Sequence, residues 1–208
     1  MRAISGRSPP GIRTRDRAEV PLSGPWKPTK VQVAAADNKT VDDLIGPGLK
    51  VLFCGINPSL YSAAVGHHFA RPGNRFWPTL HSAGLTPRLL SPFEDRSLLD
   101  LGYGITNLVA RATVAADELS AGELVAGGRI LEEKVRGHRP AFVAFLGITA
   151  YRAAFGRPRA AMGPQPEAIS GACLWVLPNP SGLNAHYQMP ALTGLFAALK
   201  EAGNLGRS

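Results

Sequence analysis

The chain has 208 residues, 45% hydrophobic and 18% charged, which suits one compact domain with a sizeable core. No apolar run approaches the ~20 residues that cross a bilayer, the first residues lack the apolar centre of a secretory signal, and two cysteines are too few for a cluster or zinc site held by four thiolates. The net charge of +8 points to a polyanionic partner, although residues 1–50, with nine Lys/Arg against five Asp/Glu, hold half of the excess.

Residues 1–40 have no helical or strand periodicity and carry Pro9, Pro10, Pro21, Pro25 and Pro28 among scattered arginines. They are expected to form a disordered basic tail; an arm that adds nonspecific affinity for DNA is the functional alternative. The folded domain is expected over 41–203. "VDDLIGPGLKVLFCG" predicts a helical turn, a Gly-Pro-Gly break and a strand over about Lys50–Cys54. "RFWPTLHSAG" predicts a helix with Phe76, Leu80 and Ala83 on one face, Pro78 near its start and Gly84 as its stop. "GITNLV" predicts a second strand ending near Val109.

In "ELSAGELVAGGRILEEKVRGH", Ser120 and Glu123 form a capping box with Leu119 and Leu124 as the flanking staple, and Leu124, Leu131 and Val135 follow at helical spacing. "AFVAFLG" predicts a third strand, with a helix after it over about Thr149–Phe155. "ACLWVLPNPSGL" predicts a fourth strand running into a loop, and "MPALTGLFAALKEAG" a closing helix with Met189, Leu192, Phe196 and Leu199 facing inward. Cys54 and Cys173 both lie in strand-like apolar runs and read as small core residues.

Strands separated by helices imply an α/β fold of three layers, α/β/α, around a central, mainly parallel four-stranded sheet. Its strands are continuous apolar runs, as in a sheet covered on both faces. Ligands of such sheets bind at the carboxyl ends of the strands. Two loops there look alike, "GINPSL" after the first strand and "LPNPSGL" after the last. Each reads either as a plain Asn-Pro turn or as a site in which Pro fixes the backbone while Asn and Ser supply short polar groups. "GHHFARPGNRFW" places Phe69 in a loop, as a stacking platform for a base or as a plug of the core. His67 and His68 are adjacent, so their side chains diverge on a regular element, and they read as solvated or hydrogen-bonded residues rather than metal ligands.

The stretches "GINPSL", "FARPGNRFW", "GITNLVARAT", "LSAGELVAGGR", "LGITAY" and "WVLPNPSGLN" occur in this order. With their spacing they resemble the mismatch-specific uracil-DNA glycosylases, the bacterial branch of the family that includes thymine-DNA glycosylase. The resemblance runs from about Val41 to Ala202. It implies a uracil-DNA glycosylase-like fold and a monofunctional DNA glycosylase of base-excision repair. Such an enzyme flips uracil out of a mispair with guanine, hydrolyses its N-glycosidic bond and leaves an abasic site, with thymine and ethenocytosine as further candidate substrates. Asn57 matches the Asn that holds the attacking water. An amide is hardly basic, so its contribution is positioning. Phe69 matches the aromatic that stacks on the flipped base; backbone groups of Ile56 and Phe69 and the Ser62 side chain are expected to line the base pocket, with Asn107 beside it. Leu183 matches the residue that fills the gap left by the extruded nucleotide, and Ser181, Gly182 and Asn184 are expected at the orphaned guanine.

Two departures stand out. Ala185 occupies a place where some relatives have Arg, followed by His186, and the position of Asn107 varies in the family. No cofactor and no metal are expected. The expected partner is double-stranded DNA containing a mismatched or damaged pyrimidine. The expected state is a cytoplasmic monomer, free of membranes, that acts at the nucleoid.

Overall fold

The computed structural model describes residues 26–205. Its first element, α1 (Lys30–Ala34), starts at a capping box in which the Thr29 hydroxyl accepts from the Gln32 N–H while the Gln32 side chain accepts from the Thr29 N–H. The following turn buries Ala36 with Val41, Ala63 and Ala112. Residues 26–40, expected above within a disordered tail, are thus an ordered lead-in to the domain, while residues 1–25 of that expected tail lie outside the described residues. The helical turn expected after Val41 is instead extended. Leu44 exchanges two hydrogen bonds of 2.8 Å with Ile105, because pairing with a strand lets it bury its side chain in the core.

The strands are β1 (Val51–Gly55), β2 (Tyr103–Asn107), β3 (Phe142–Leu146), β4 (Gly163–Ile169) and β5 (Ala172–Leu177). They form one sheet of order β2-β1-β3-β5-β4. The first four in that order are parallel, with Val51 opposite Tyr103 and Phe142, and Phe142 opposite Cys173. The sheet therefore has five strands and not the expected four. The fifth, β4, pairs antiparallel with β5 and carries Pro164 and Pro166. Proline lacks the N–H a central strand needs, so this sequence does not read as a strand, but an edge tolerates it. Likewise β2 ends at Asn107 and not near Val109, because the chain there turns to bond Leu108 and Val109 onto the carbonyls of Gly55 and Ile56.

Side chains alternate along each strand, so β1 feeds two cores. Val51 and Phe53 pack with Tyr103, Ile105, α3 (Phe76–Ser82) and α7 (Met189–Ala202). Leu52 and Cys54 pack on the other face with α5 (Ala121–His138) and α6 (Ile148–Phe155). The short helices α2 (Leu60–Val65) and α4 (Ser97–Asp100) complete the layers. The capping box of Ser120 and Glu123 forms as expected, and Leu192, Phe196 and Leu199 are buried. Burial pushes the Cys54 thiol pKa upward. Cys173, read as a core residue, is exposed instead: the outset of β5 alternates, with Ala172 turned inward. Among the described residues no helix is long and apolar enough to cross a membrane.

Helix α5 carries Gly127 in its buried stripe and an exposed Gly137 near its end. A β-carbon on Gly127 would stand 2.3 Å from the Leu108 carbonyl oxygen, whereas one on Gly137 would meet nothing within 4 Å. Gly127→Ala is therefore expected to destabilise by about 2 kcal/mol or more through overpacking, although alanine is the better helix former. Gly137→Ala should stabilise by up to about 1 kcal/mol. Thermal melts of the two variants check this pair; equal shifts would show that helix propensity alone governs both sites.

Candidate active site

In this strand order the chain leaves β1 toward β2 on one side and later occupies β3 and β5 on the other. A parallel sheet opens a crevice at such a reversal, outside the carboxyl ends of its strands. A cavity of about 490 Å³ lies there. The turn after β1 supplies Gly55 to Ser59, the end of β3 supplies Leu146 and Gly147, and the loop after β5 supplies Asn179, Ser181, Leu183 and Asn184. Phe69 and Arg71 enter from the loop before α3, and Thr113 and Val114 from the loop after β2.

Asn57 is held in the cavity by its own amide nitrogen. Its Nδ2 donates to the Arg111 carbonyl at 3.1 Å and to Thr113 Oγ1 at 2.7 Å. The Thr113 hydroxyl in turn donates to the Ala115 carbonyl at 2.7 Å, so its oxygen can only accept from Asn57. Both amide hydrogens are thereby committed, and Oδ1 takes no hydrogen bond among the described residues. Pro58 is buried behind it, and Ser59 caps α2. Arg111 is itself tethered: its guanidinium holds Glu123 at the start of α5 at 2.6 and 3.2 Å, and with Ser120 it lowers the Glu123 carboxyl pKa to about 2.

Phe69 adopts a left-handed backbone with φ of 53°, a conformation bulky residues avoid unless their surroundings impose it. Both flanks are pinned. Ala70 N–H donates to Ser62 Oγ at 3.1 Å, and Trp77 Nε1 donates to the His68 carbonyl at 3.2 Å. One face of the Phe69 ring stacks on Phe76 at 4.2 Å. Gly55 makes room for it: a β-carbon there would lie 3.3 Å from the ring and 2.5 Å from Asn107 Oδ1. Ser62 lines the cavity, but its oxygen also accepts from the Ser59 hydroxyl at 3.1 Å, so it ties α2 to the Phe69 loop.

Asn107 is buried beneath Gly55, behind the cavity wall, and not among the lining residues. Its Nδ2 donates to His68 Nδ1 at 3.4 Å, while His68 Nε2–H donates to the Asp42 carbonyl at 2.9 Å. His68 is thus a buried, neutral ring whose two nitrogens have fixed roles, and His67 pairs with Asp95 at 2.9 Å. Burial lowers the His68 pKa below its ordinary 6.5. The unfolded chain then takes up a proton that the folded one refuses. The stability this residue contributes is present above about pH 6.5 and lost as the pH falls below it. The melting temperature should drop between pH 7.5 and 5.5, and His68→Gln should flatten that slope. An unchanged slope would mean that other groups set it.

The loop after β5 folds on its own polar groups. Asn179 Oδ1 accepts from Ser181 N–H at 3.0 Å, and Ser181 Oγ accepts from Leu183 N–H at 3.3 Å. Asn184 donates to the Asn179 carbonyl at 2.9 Å and accepts from His186 N–H at 3.1 Å. The Asn184 side chain therefore staples the loop. Leu183 at its tip is 74% exposed at the mouth of the cavity. Ile56 and Asn57 are half-buried at the opposite wall.

Thus Asn57, Ile56, Ser62, Phe69, Ser181, Leu183 and Asn184 share one cavity. Gly182 does not line it; it is exposed and packs against Gly73. Thr113, Arg111, His68 and Arg75 emerge only from the fold. Thr113 is the last residue of the quoted "GITNLVARAT" stretch, and nothing local in the sequence indicates that it faces a residue 56 positions earlier. No group of three or more His, Cys, Asp and Glu side chains that could hold a metal ion occurs among the described residues.

Among solved structures, the chain is similar to the solution NMR structure of a "putative Uracil DNA glycosylase" from Methanosarcina acetivorans. The two are 16% identical, the match covers 78% of this chain and 98% of that one, and the TM-score is 0.48. Residues 43–201 match the family model of the Uracil DNA glycosylase superfamily, which takes in the cavity and every strand of the sheet. The chain belongs to the uracil DNA glycosylase superfamily.

Proposed function

We propose that this protein is a monofunctional DNA glycosylase that releases uracil mispaired with guanine, with thymine and ethenocytosine as further candidate bases. The observation that carries the reading is the Asn57 amide, whose two hydrogens are fixed on Arg111 and Thr113 so that Oδ1 is free at the cavity wall. A carbonyl oxygen held in this way accepts a hydrogen bond from water and aims the water lone pair at the deoxyribose C1′.

The bond from C1′ to the base nitrogen breaks with its electron pair, and the base departs as an anion. Water oxygen forms the new bond to C1′, and the water's proton passes to solvent. Backbone N–H groups of Ile56 and Phe69 would meet the charge growing on the pyrimidine oxygens. Phe69, backed on one face by Phe76, offers its other face to the base, and Ser62 holds that platform in place. Leu183 would enter the stack as the wedge, with backbone groups of Ser181 and Gly182 toward the orphaned guanine. Asn107, from behind Gly55, would set the floor on which the base edge rests.

With no general base, such an enzyme favours leaving groups that need little help, uracil before thymine. Mispairing lowers the cost of extrusion, so part of the mismatch preference resides in the DNA. The deciding assay measures base release from G:U, A:U and G:T duplexes and from single-stranded uracil DNA at equal concentration. Release from G:U well above A:U and single strands is expected. Equal release from all three uracil substrates would make this a general uracil glycosylase, and no release from any would leave a mismatch-binding protein.

A further inference from the structure

Arg75 immediately precedes α3, yet its side chain does not cap that helix; the Asn74 carboxamide oxygen does so by accepting from Phe76 N–H. The guanidinium reaches instead more than a hundred residues along the chain, into the loop that carries Leu183. It donates to the carbonyls of Tyr187 and Ser181 at 2.5 Å each, of Asn184 at 2.8 Å and of Pro180 at 3.4 Å. The Arg75 backbone N–H donates to Pro180 as well, at 2.9 Å. All of these acceptors are main-chain oxygens. A planar fork of five donors suits such a convergence of carbonyls, and a lysine could not reproduce it.

The acceptors flank the wedge on both sides, at Ser181 and Asn184. A second contact joins the same two loops. A β-carbon on Gly182 would lie 2.5 Å from the Gly73 carbonyl oxygen, so the chain beside Leu183 rests directly on the chain between Phe69 and Arg75. Leu183 itself is mostly exposed and has little packing beneath it to fix its direction.

We propose that Arg75 is the positioning residue of the wedge: it holds the loop over 180–187 in the shape that presents Leu183, and it locks that loop to the one bearing Phe69. Stacking of the base and filling of the gap it leaves then become one concerted docking event. This rests on the reading of Leu183 as a wedge given above.

The test uses the full chain as Arg75→Gln and Arg75→Lys, with Gly182→Ala pressing on the joint from the other side. Hydrogen exchange over 178–187 reads the loop without any reference to catalysis. Base release from G:U duplex and from single-stranded uracil DNA reads the wedge. In Arg75→Gln, loop exchange should rise at least about tenfold. Duplex excision should fall by about ten- to a hundredfold, with single-strand excision changing less than about threefold. In a Leu183→Ala background Arg75→Gln should cost nothing further on duplex, since both changes remove one device.

Unchanged exchange in a folded Arg75→Gln protein overturns the proposal, as do equal losses on duplex and single strand or independent, multiplying effects of the two substitutions. If Arg75→Gln does not fold, Arg75→Lys and Gly182→Ala carry the same expectations. If Leu183→Ala alone leaves duplex excision intact, the wedge reading has failed, and the exchange data alone decide whether Arg75 holds the loop.

Discussion

Replacing Asn57 by alanine is expected to reduce base release by about a thousandfold or more while leaving affinity for a mismatched duplex nearly unchanged. The size of the effect follows from the proposed role of the amide. Held by two donated bonds, it would supply a pre-oriented acceptor for one water, and orientation of a reactant can account for several kcal/mol of a barrier. On the proposed reading DNA would be gripped through its backbone and the mispair rather than through this amide, so affinity is expected to persist. Folding should suffer little: the Arg111 carbonyl and the Thr113 hydroxyl each lose one partner, about 1 kcal/mol apiece, in a half-buried site that water can enter. Thr113→Val gives the graded version. It removes one of the two acceptors and frees the amide to turn, so about a tenfold loss is expected. Single-turnover excision beside a binding titration measures both variants. Full-rate excision by Asn57→Ala would remove Asn57 from the mechanism.

The second large effect is expected at Leu183. Leu183→Ala should lower excision from G:U duplex by about 30-fold, equivalent to roughly 2 kcal/mol of the few kcal/mol that extrusion costs. Single strands have no stack to fill, so their excision should stay within about twofold. A side chain 74% exposed contributes little to folding, and the melting temperature should not move. That combination separates a wedge from a structural leucine. Equal losses on both substrates, or a lower melting temperature, would assign Leu183 to the architecture of the loop.

Much of the fold is legible in the sequence because long-range order coincides with local pattern. Three strands, β1, β3 and β5, are uninterrupted apolar runs, α5 announces itself by Ser120 and Glu123, and α7 by Leu192, Phe196 and Leu199 at helical spacing. What escapes is held by contacts between distant residues. β4 is a strand only because β5 lies beside it, and its two prolines conceal it. The Leu44 segment is extended only because Ile105 is there to pair with. Cys173 is exposed because Ala172 and Leu174 on either side of it take the inward face of β5, leaving Cys173 on the uncovered one.

The site divides in the same way. The Asn-Pro-Ser turns and the loop phenylalanine are visible as residue types in a suggestive order, and the cavity gathers them. The groups that orient them are not. Thr113 and Arg111 acquire meaning from Asn57, His68 from Asn107, and Arg75 from four carbonyls beyond residue 179. A side chain whose partners are backbone oxygens far along the chain leaves no periodic trace.

The edge strand β4 has a consequence for how these molecules behave in crowded solution. A parallel sheet that ended at β5 would expose a straight row of unpaired N–H and C=O groups, on which a strand from another molecule could add. β4 covers that row. At Pro164 and Pro166 it has no N–H of its own to offer, and its register slips between Pro164 and Ala168. On the far side, the Leu44 bridge covers part of β2. Recruitment of neighbours by ribbon addition is thus discouraged at both margins, and a chain shorn of the 163–169 hairpin arm would be expected to precipitate while its chemical groups remained intact.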